Sequence, residues 1–597
     1  MNHARPLSGR RLTVALLAAL ALVATTVPVA SAADPPVPPA PPSVTATHHG
    51  EPLDNCWDLP RCSERVALGD KVTFTFTSTS PDAVSLRYRW IGTNPVTVDG
   101  AAATLELEPP NDGRLLLMVQ SVNSFGQPSQ DTNFMLFVGP APGPVGSWEF
   151  NDGSGTTAAD GPGLTHPLAL AGSTFEASGR LDGGLALDGA DDYASASESV
   201  VDTSQSFSIS VWARPTNPSK LGVIASANGA NTTATGLGYD PSSKRWVFAR
   251  TSADVRNPTL YKASSKEAPV NGAWSHLLAM YDVLTGALKF YVNGRLQQET
   301  TSPATAVWKA TGALTVGRGL LTGAAGGYFA GSIDNLQIWQ RVLRPEEVLE
   351  LQLPKDSNGM VVTGDVAHWP LDTAVRGADQ VWRSPETVRG ADLTVSGFQG
   401  ADQSKAFVDD AERGKVLQLN GSSRASVSLG RPLVDASASF SLAVMVKLTD
   451  PTKPGVILRQ GTATTDTWRL AYEPVGDSGQ FTFARANAGS NTETAATLTV
   501  TADEEDLDGW HLITASYVLN DRDPSQDQIS LTRDLRSRDG SLRSFTAPRR
   551  DGTTTVGKPG PTGAPFTGRL DNIHLYTGNL ATTEVCTDYP GQRACGS

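Results

Sequence analysis

At 597 residues, with a formal charge of −13, 57 glycines and 40 prolines, the chain is long enough for three or four domains and rich in turn formers. Its net negative field argues against nucleic acid and anionic membranes as partners of the whole molecule, whereas acidic groups suit divalent cations. The first segment, 1–32, reads as an export leader. Arg5, Arg10 and Arg11 precede an apolar run from Leu12 to Val23, and Ala30-Ser31-Ala32 supplies small residues for cleavage. The apolar run is too short for a membrane span and the sequence shows no later one, so the expectation is a secreted protein without membrane insertion. Loss of the leader removes three arginines and no acids, taking the charge from −13 to −16. Residues 33–42, dominated by proline, read as a semi-rigid polyproline linker.

Residues 43–139 alternate in the two-residue period of half-buried strands. Val72-Thr-Phe74-Thr-Phe76 and Leu86-Arg-Tyr88-Arg-Trp90 are the clearest, followed by 103–107, 115–121 and 133–138. This segment resembles an immunoglobulin-like or fibronectin-III-like module, which implies a spacer that projects other domains. A proline-glycine stretch at 140–144 closes it.

The remainder is a duplication. Phe329-Ala-Gly-Ser-Ile-Asp334-Asn-Leu-Gln-Ile-Trp339 and Phe566-Thr-Gly-Arg-Leu-Asp571-Asn-Ile-His-Leu-Tyr576 lie 566 − 329 = 237 residues apart, a whole-domain period. Each copy reads as a turn feeding a half-buried strand. Six further blocks repeat in order: Trp148 with Trp369, Leu185 to Gly189 with Leu417 to Gly421, Phe207 to Trp212 with Phe440 to Met445, Gly222 to Ile224 with Gly455 to Ile457, Trp274 with Trp510, and Thr315 to Gly317 with Thr555 to Gly557. Many short alternating runs with regular turn signals indicate antiparallel sandwiches. The fold class expected is all-β: two tandem jelly-roll sandwiches, 145–352 and 364–582, preceded by the small immunoglobulin- or fibronectin-III-like one, with 583–597 as a C-terminal tail.

Each copy resembles a LamG-like jelly roll of the concanavalin A-like lectin/glucanase superfamily. The resemblance rests on the opening Trp-x-aliphatic-Asp/Asn strand, the aliphatic-Asp/Asn-Gly turn, the Phe-Ser-aliphatic core strand, the Asn293-Gly294 hairpin and the closing Gly-x-aliphatic-Asp-Asn strand. It implies binding of carbohydrate or of an extracellular or cell-surface protein. It also implies a structural calcium ion near the opening and closing strands, which places Asn151 and Asp334 in the first copy and Asp372 and Asp571 in the second as metal residues. The competing reading is that these aspartates hydrogen-bond turn amides.

Nothing in the sequence requires catalysis. Glycoside hydrolysis needs two carboxyls at a set separation, and no Glu-x-Asp-x-Glu strand is present. Asp503 to Asp506 and Glu346-Glu347 sit in turn or helix-start contexts, the latter after Pro345 at a first helical turn. There is no Gly-x-Ser-x-Gly elbow and no His-Glu-x-x-His pair, and His276 and His511 read as strand-edge residues. Trp148, Trp212, Trp274, Trp339, Trp369 and Trp510 fall on periodic strands as core. Tyr239, Trp246, Tyr261, Trp308, Tyr328, Trp382 and Trp468 lie nearer turns, where one or two rings suit a ligand face. The arginine-rich stretch 533–550, with a tight turn expected at Asp539-Gly540, reads as a solvated hairpin ahead of a grip on anionic polysaccharide. The four cysteines form two close pairs, Cys56 with Cys62 and Cys586 with Cys595, as expected of disulfide loops in an exported chain. The function expected is a non-catalytic binding protein. The alternatives are an unrecognised carbohydrate-active enzyme and an extracellular scaffold.

Overall fold

The computed structural model describes residues 37–57, 66–177, 179–216, 218–352, 363–388, 390–422, 426–486, 493–500, 508–519, 527–535, 537–543, 552–590 and 595. The leader 1–32, Cys62, the 353–359 separator and the acidic run 503–506 lie outside them. No helix among the described residues is long and apolar enough to cross a membrane. The chain divides into two compact units, one ending at Ala141 and the other beginning at Pro142.

The smaller unit is a pair of sheets. One has the order Glu51–Leu53, Ser43–His48, Val72–Thr77, Ala102–Leu107. The other has the order Val66–Ala67, Thr132–Gly139, Gly113–Asn123, Ala83–Trp90, Val96–Asp99. Alternation in Val72–Thr77 puts Val72, Phe74 and Phe76 wholly inside, and Phe74 meets Trp90 and Phe134 edge-on at 5.8 and 5.6 Å. Cys56 is disulfide-bonded, and its expected partner is outside the described residues.

The larger unit holds two sandwiches with one strand plan. In the first, a sheet runs Thr174–Glu176, Gly184–Asp188, Ala330–Trp339, Phe207–Pro215, Ser275–Asp282, Ala287–Val292, Arg295–Thr301. In the second, Phe407–Asp410, Gly414–Asn420, Thr567–Thr577, Phe440–Leu448, Trp510–Val518, Asp527–Arg533 and Ser537–Arg543 take the same places. Opening strands Gly146–Trp148 and Gly364–Trp369 pair with Ala330–Trp339 and Thr567–Thr577 respectively. The opposing sheets have eight and nine strands, and each sandwich encloses its own apolar cluster, around Trp148, Trp246 and Phe207 in one and Trp369, Trp468 and Phe440 in the other. At roughly 2 kcal/mol for each fully buried large side chain, either cluster is of domain size.

Two local readings are corrected by the pairing. The Asp-Asn motif lies inside central strands, where the register against the Phe207 and Phe440 strands slips between Ser210 and Trp212 and between Ala443 and Met445. Asn335 and Asn572 take φ of 49° and 48° there. A bulge and a turn both need a residue that tolerates the left-handed region, so the motif alone does not separate them. The tight turn expected at Asp539-Gly540 is likewise displaced: both residues pair with Leu531 and Ser530, and positive φ falls at Asp534 and Leu535 instead. Asp534 holds that turn by accepting the Leu512 amide at 2.9 Å and lying 2.8 Å from His511 Nδ1. Side chains of the remaining arginine-rich stretch lie outside the described residues. Asn293-Gly294 does form its two-residue hairpin, with φ of 48° and 73°, and Pro345 opens a short helix, α1 (Pro345–Glu350).

The sandwiches meet through that hairpin. Asn293 Nδ2 donates to Asp435 at 3.0 Å and Ser437 at 2.8 Å, and Arg295 donates to Asp527 at 2.5 Å. Tyr517 also donates to Asp527, at 2.6 Å, and Asn293 and Asp527 are fully buried. A second short helix, α2 (Thr582–Asp588), closes the chain, and the disulfide between Cys586 and Cys595 ties back the tail.

Candidate functional site

The residues expected to hold calcium come together in pairs, and in each pair the buried aspartate is already engaged through one oxygen. In the first sandwich the glycine-flanked loop 179–184 touches both. Asn151 Oδ1 accepts the Gly183 amide at 2.8 Å, and Asp334 Oδ2 accepts the amides of Arg180 and Leu181 at 2.6 and 3.1 Å. Burial pushes the Asp334 carboxyl up to about 7 against those amides and the Arg180 charge. Its Oδ1 is enclosed with no hydrogen-bond partner among the described residues. A calcium shell takes six to eight oxygens, so this oxygen would need the loop backbone, Asn151 and water to complete it. In the second sandwich Asp571 Oδ2 accepts from Arg413 Nε at 2.5 Å, and Asp372 is exposed. Burial raises the Asp571 carboxyl, Arg413 pulls it back, and Asp372 adds to the rise. A guanidinium there supplies the positive charge that a metal would bring, so Asp372 and Asp571 do not fit calcium while Arg413 is in place.

Sequence reading passed over one acidic group. Asp188, Asp191 and Asp192 bring carboxylate oxygens within 4.8 Å of one another. Their turn accounts for them: Asp188 accepts the Ala190 and Asp191 amides, and Asp192 accepts the Asp188 amide at 2.9 Å. His276, expected at a strand edge, is fully buried on a middle strand with Nε2 2.8 Å from Ser210 Oγ. Burial, with Arg180 adding to it, pushes His276 down to about 3. It carries no charge near neutrality and no solvent reaches it.

The open feature is a trough of 480 Å³ on the outer face of the first sandwich. In the strand Arg245–Thr251, Trp246, Phe248 and Arg250 face inward, leaving Val247 and Ala249 outward. Opposite them in register stand Gly238 and Gly236 of Thr233–Asp240, and Lys262 of Leu260–Ser264 also faces Ala249. The sheet is therefore nearly bare along this line. The hairpin Gly319–Leu321 to Ala324–Gly326 forms one wall, pinned by the Leu320 amide donating to Thr233 Oγ1 at 2.9 Å. Leu221 and Leu321 stand on that side and Pro258 and Leu260 on the other, with Leu260 54% exposed.

Charge is confined to the rim. Lys262 Nζ lies 3.2 Å from Asp240, whose carboxyl burial alone would raise. Ser242, Lys262 and Ser243 outweigh burial and hold it down at about 2. Asp240 is the one carboxylate of the described lining and is locked in its ionised form. Hydrolysis of a glycoside uses two carboxyls, one of them protonated. Among the rings expected near turns, Tyr239 alone lines the trough, and it is 5% exposed; Trp246 and Trp468 are core, and Tyr261, Trp308, Tyr328 and Trp382 are half-buried. The trough escaped sequence reading because it is made of missing side chains on two strands. The alternation Gly236-Leu-Gly238 inside a strand is the signal that marks it.

A search of curated proteins found no match. Among solved structures, domain 4 of AbnA, a GH43 extracellular arabinanase from Geobacillus stearothermophilus, in complex with arabinotriose, is 19% identical, with 35% of this chain and 98% of that one covered and a TM-score of 0.29. Domains LG4-5 of the mouse laminin alpha1 chain are 16% identical over 62% of this chain and 82% of that one, at a TM-score of 0.19. The binding domain of botulinum neurotoxin DC in complex with rat synaptotagmin II is 11% identical over 75% and 97%, at 0.32. Within the first sandwich, residues 188–349, which include the trough, match the family model Laminin_G_3, described as the concanavalin A-like lectin/glucanases superfamily.

Proposed function

We propose that the protein is secreted and non-catalytic, and that it binds an extended segment of an extracellular protein in the trough of its first sandwich. The observation that carries this reading is the trough's lining: a floor of Gly236, Gly238 and Ala249 between aliphatic walls of Leu221, Leu321 and Leu260. Sugars are gripped by an open aromatic face and a dense set of hydrogen-bond groups, whereas the surface open here is chiefly aliphatic carbon, with threonines, Asn257, Arg256, Asp240 and Lys262 also in the lining, and Tyr239 is nearly buried. A backbone with aliphatic side chains fills such a channel without clashing with a Cβ-free floor. Export rests on the leader features and on the disulfide between Cys586 and Cys595.

The test pairs a display library of extended peptides with a glycan array, using the wild-type protein and the variants Ala249→Trp and Leu260→Asp. Ala249→Trp fills the trough and Leu260→Asp places a charge on its exposed wall. Both are expected to lower peptide affinity at least about tenfold, about 1.4 kcal/mol, with the thermal transition unchanged. Saccharide binding that the same variants abolish would replace the protein ligand with a glycan. Turnover of a polysaccharide by the wild type would overturn the non-catalytic reading.

A further inference from the structure

Each sandwich lays a short helix on the outward side of its central sheet. In the first, α1 brings Val348 over Leu278, Met280 and Trp339. In the second, α2 and the following Tyr589 cover Ala443, Met445 and Leu512. The fastenings differ. Arg341 ties α1 by donating to both oxygens of Glu347, at 2.8 and 2.6 Å, a pair charged throughout the physiological range. α2 ends on Asp588, and two of the ties there run through histidines. His574 Nδ1 lies 2.7 Å from the Tyr576 hydroxyl, which donates to Asp588 at 2.6 Å. His368 Nε2 lies 2.6 Å from Asn572 Oδ1, and the Asn572 amide donates to the Asp588 carbonyl at 3.4 Å.

The two imidazoles are register partners with centroids 3.8 Å apart. The same positions in the first sandwich hold Ser147 and Gln337, in register, joined by a 3.3 Å hydrogen bond and unable to take a charge. Because Tyr576 gives its one hydroxyl proton to Asp588, the network assigns the His574 proton to Nδ1. Nε2 is then the nitrogen open to a second proton, and it is enclosed with no hydrogen-bond partner among the described residues. A proton added there while α2 is docked becomes a buried donor without an acceptor, and its charge, although Asp588 lies 3.5 Å from Nδ1, faces a second imidazole 3.8 Å away. Undocking gives it water.

We propose that the second sandwich carries an acid-operated latch, in which protonation of the His368–His574 pair releases α2 and Tyr589 and uncovers the apolar surface around Met445 and Leu512. The groups facing the rings are Tyr576 on the His574 strand, Glu386 and Thr387 of the adjoining loop, and Asp588 and Tyr589 of the closing segment. Asp365, Arg180 and Asp182 line the 420 Å³ cleft that also touches Tyr576 and Asp588. Burial, and after it His574, holds His368 below the ordinary histidine value, against Asn572, Glu386 and Asp588. Burial alone would raise the Asp588 carboxyl, but His574 and Tyr576 hold it below the usual range. His368 binds fewer protons docked than free. Its contribution to docking is therefore at full strength above about pH 6.5 and weakens as the pH falls below it, whereas that of Asp588 is lost only below about pH 4.

Hydrogen exchange of the full chain between about pH 7.5 and about pH 5 tests this, with rates corrected for intrinsic exchange and α1 as internal reference. The amides of Val585 and Tyr589, bonded at 3.1 and 2.8 Å in α2, are expected to lose protection relative to α1 as the pH falls below about 6.5, by at most about tenfold for each pH unit. A dye specific for apolar surface should bind over the same range. The variant carrying His368→Ser and His574→Gln, the side chains of the first sandwich, should keep α2 protected at pH 5; His574→Gln alone serves if the pair does not fold. A constant ratio of α2 to α1 protection in the wild type overturns the latch. So does an unchanged pH dependence in the variants.

Discussion

The paired aspartates show how one motif takes different employment in two copies. Asp334 clamps two loop amides, and Asp571 clamps a guanidinium. The motif was legible at both positions, yet the partner was not: Arg413 lies 158 residues from Asp571 and no local pattern connects them. The distinction has a measurable consequence. Asp571→Ala leaves Arg413 half-buried without its carboxylate, at a cost of about 2 kcal/mol, discounted from the 3–5 kcal/mol of a fully buried pair. The loss should be the same in calcium and in chelator. A chelator effect that vanishes in Asp571→Ala would instead place a metal at this carboxylate.

At the scale of elements, the turns read correctly were those whose residues leave the backbone little choice. Asn293-Gly294 is such a case, because a two-residue hairpin needs positive φ twice. Asp539-Gly540 has the same letters in principle, but Asp534 reaches the Leu512 amide and takes the turn five residues earlier. That choice depends on a neighbouring strand, as does the histidine pair, whose members meet only through register. Trp212 and Met445 occupy one position of the repeat. The change is understood only from what lies above: Arg180 at 4.4 Å over the indole in one copy, and Tyr589 with α2 in the other. Asn293 serves both its turn and the joint. Asn293→Gly should preserve the hairpin while removing the amide that donates to buried Asp435, lowering stability by about 2 kcal/mol. Denaturant unfolding checks this, and a cost below about 0.5 kcal/mol would show that Asn293 matters only to the turn.

For the whole larger unit, the two cores are separate but the joint between them is ionic and largely buried. Arg295 reaches Asp527 across the joint, and Tyr517 shares that carboxylate. Burial pushes the Tyr517 hydroxyl up to about 12, so it stays a donor. Removing one member of such a set leaves an uncompensated buried charge. Asp527→Ala is expected to cost about 3 kcal/mol and to split one calorimetric transition of the larger unit into two. A single transition at the wild-type temperature would show that the sandwiches do not rely on the joint.

That joint also has a direction. It is heterologous, a hairpin of one copy against a strand start of the next, and contacts of this kind generate open filaments when every copy presents both halves. Register places Asp527 just before Gln528, which pairs Val518, and the matching position ahead of Ala287 in the first copy is Gly286. Arg295 of the first sandwich therefore meets a carboxylate in the second at a place where the first sandwich itself offers only the glycine, so the contact runs in one direction between the two copies.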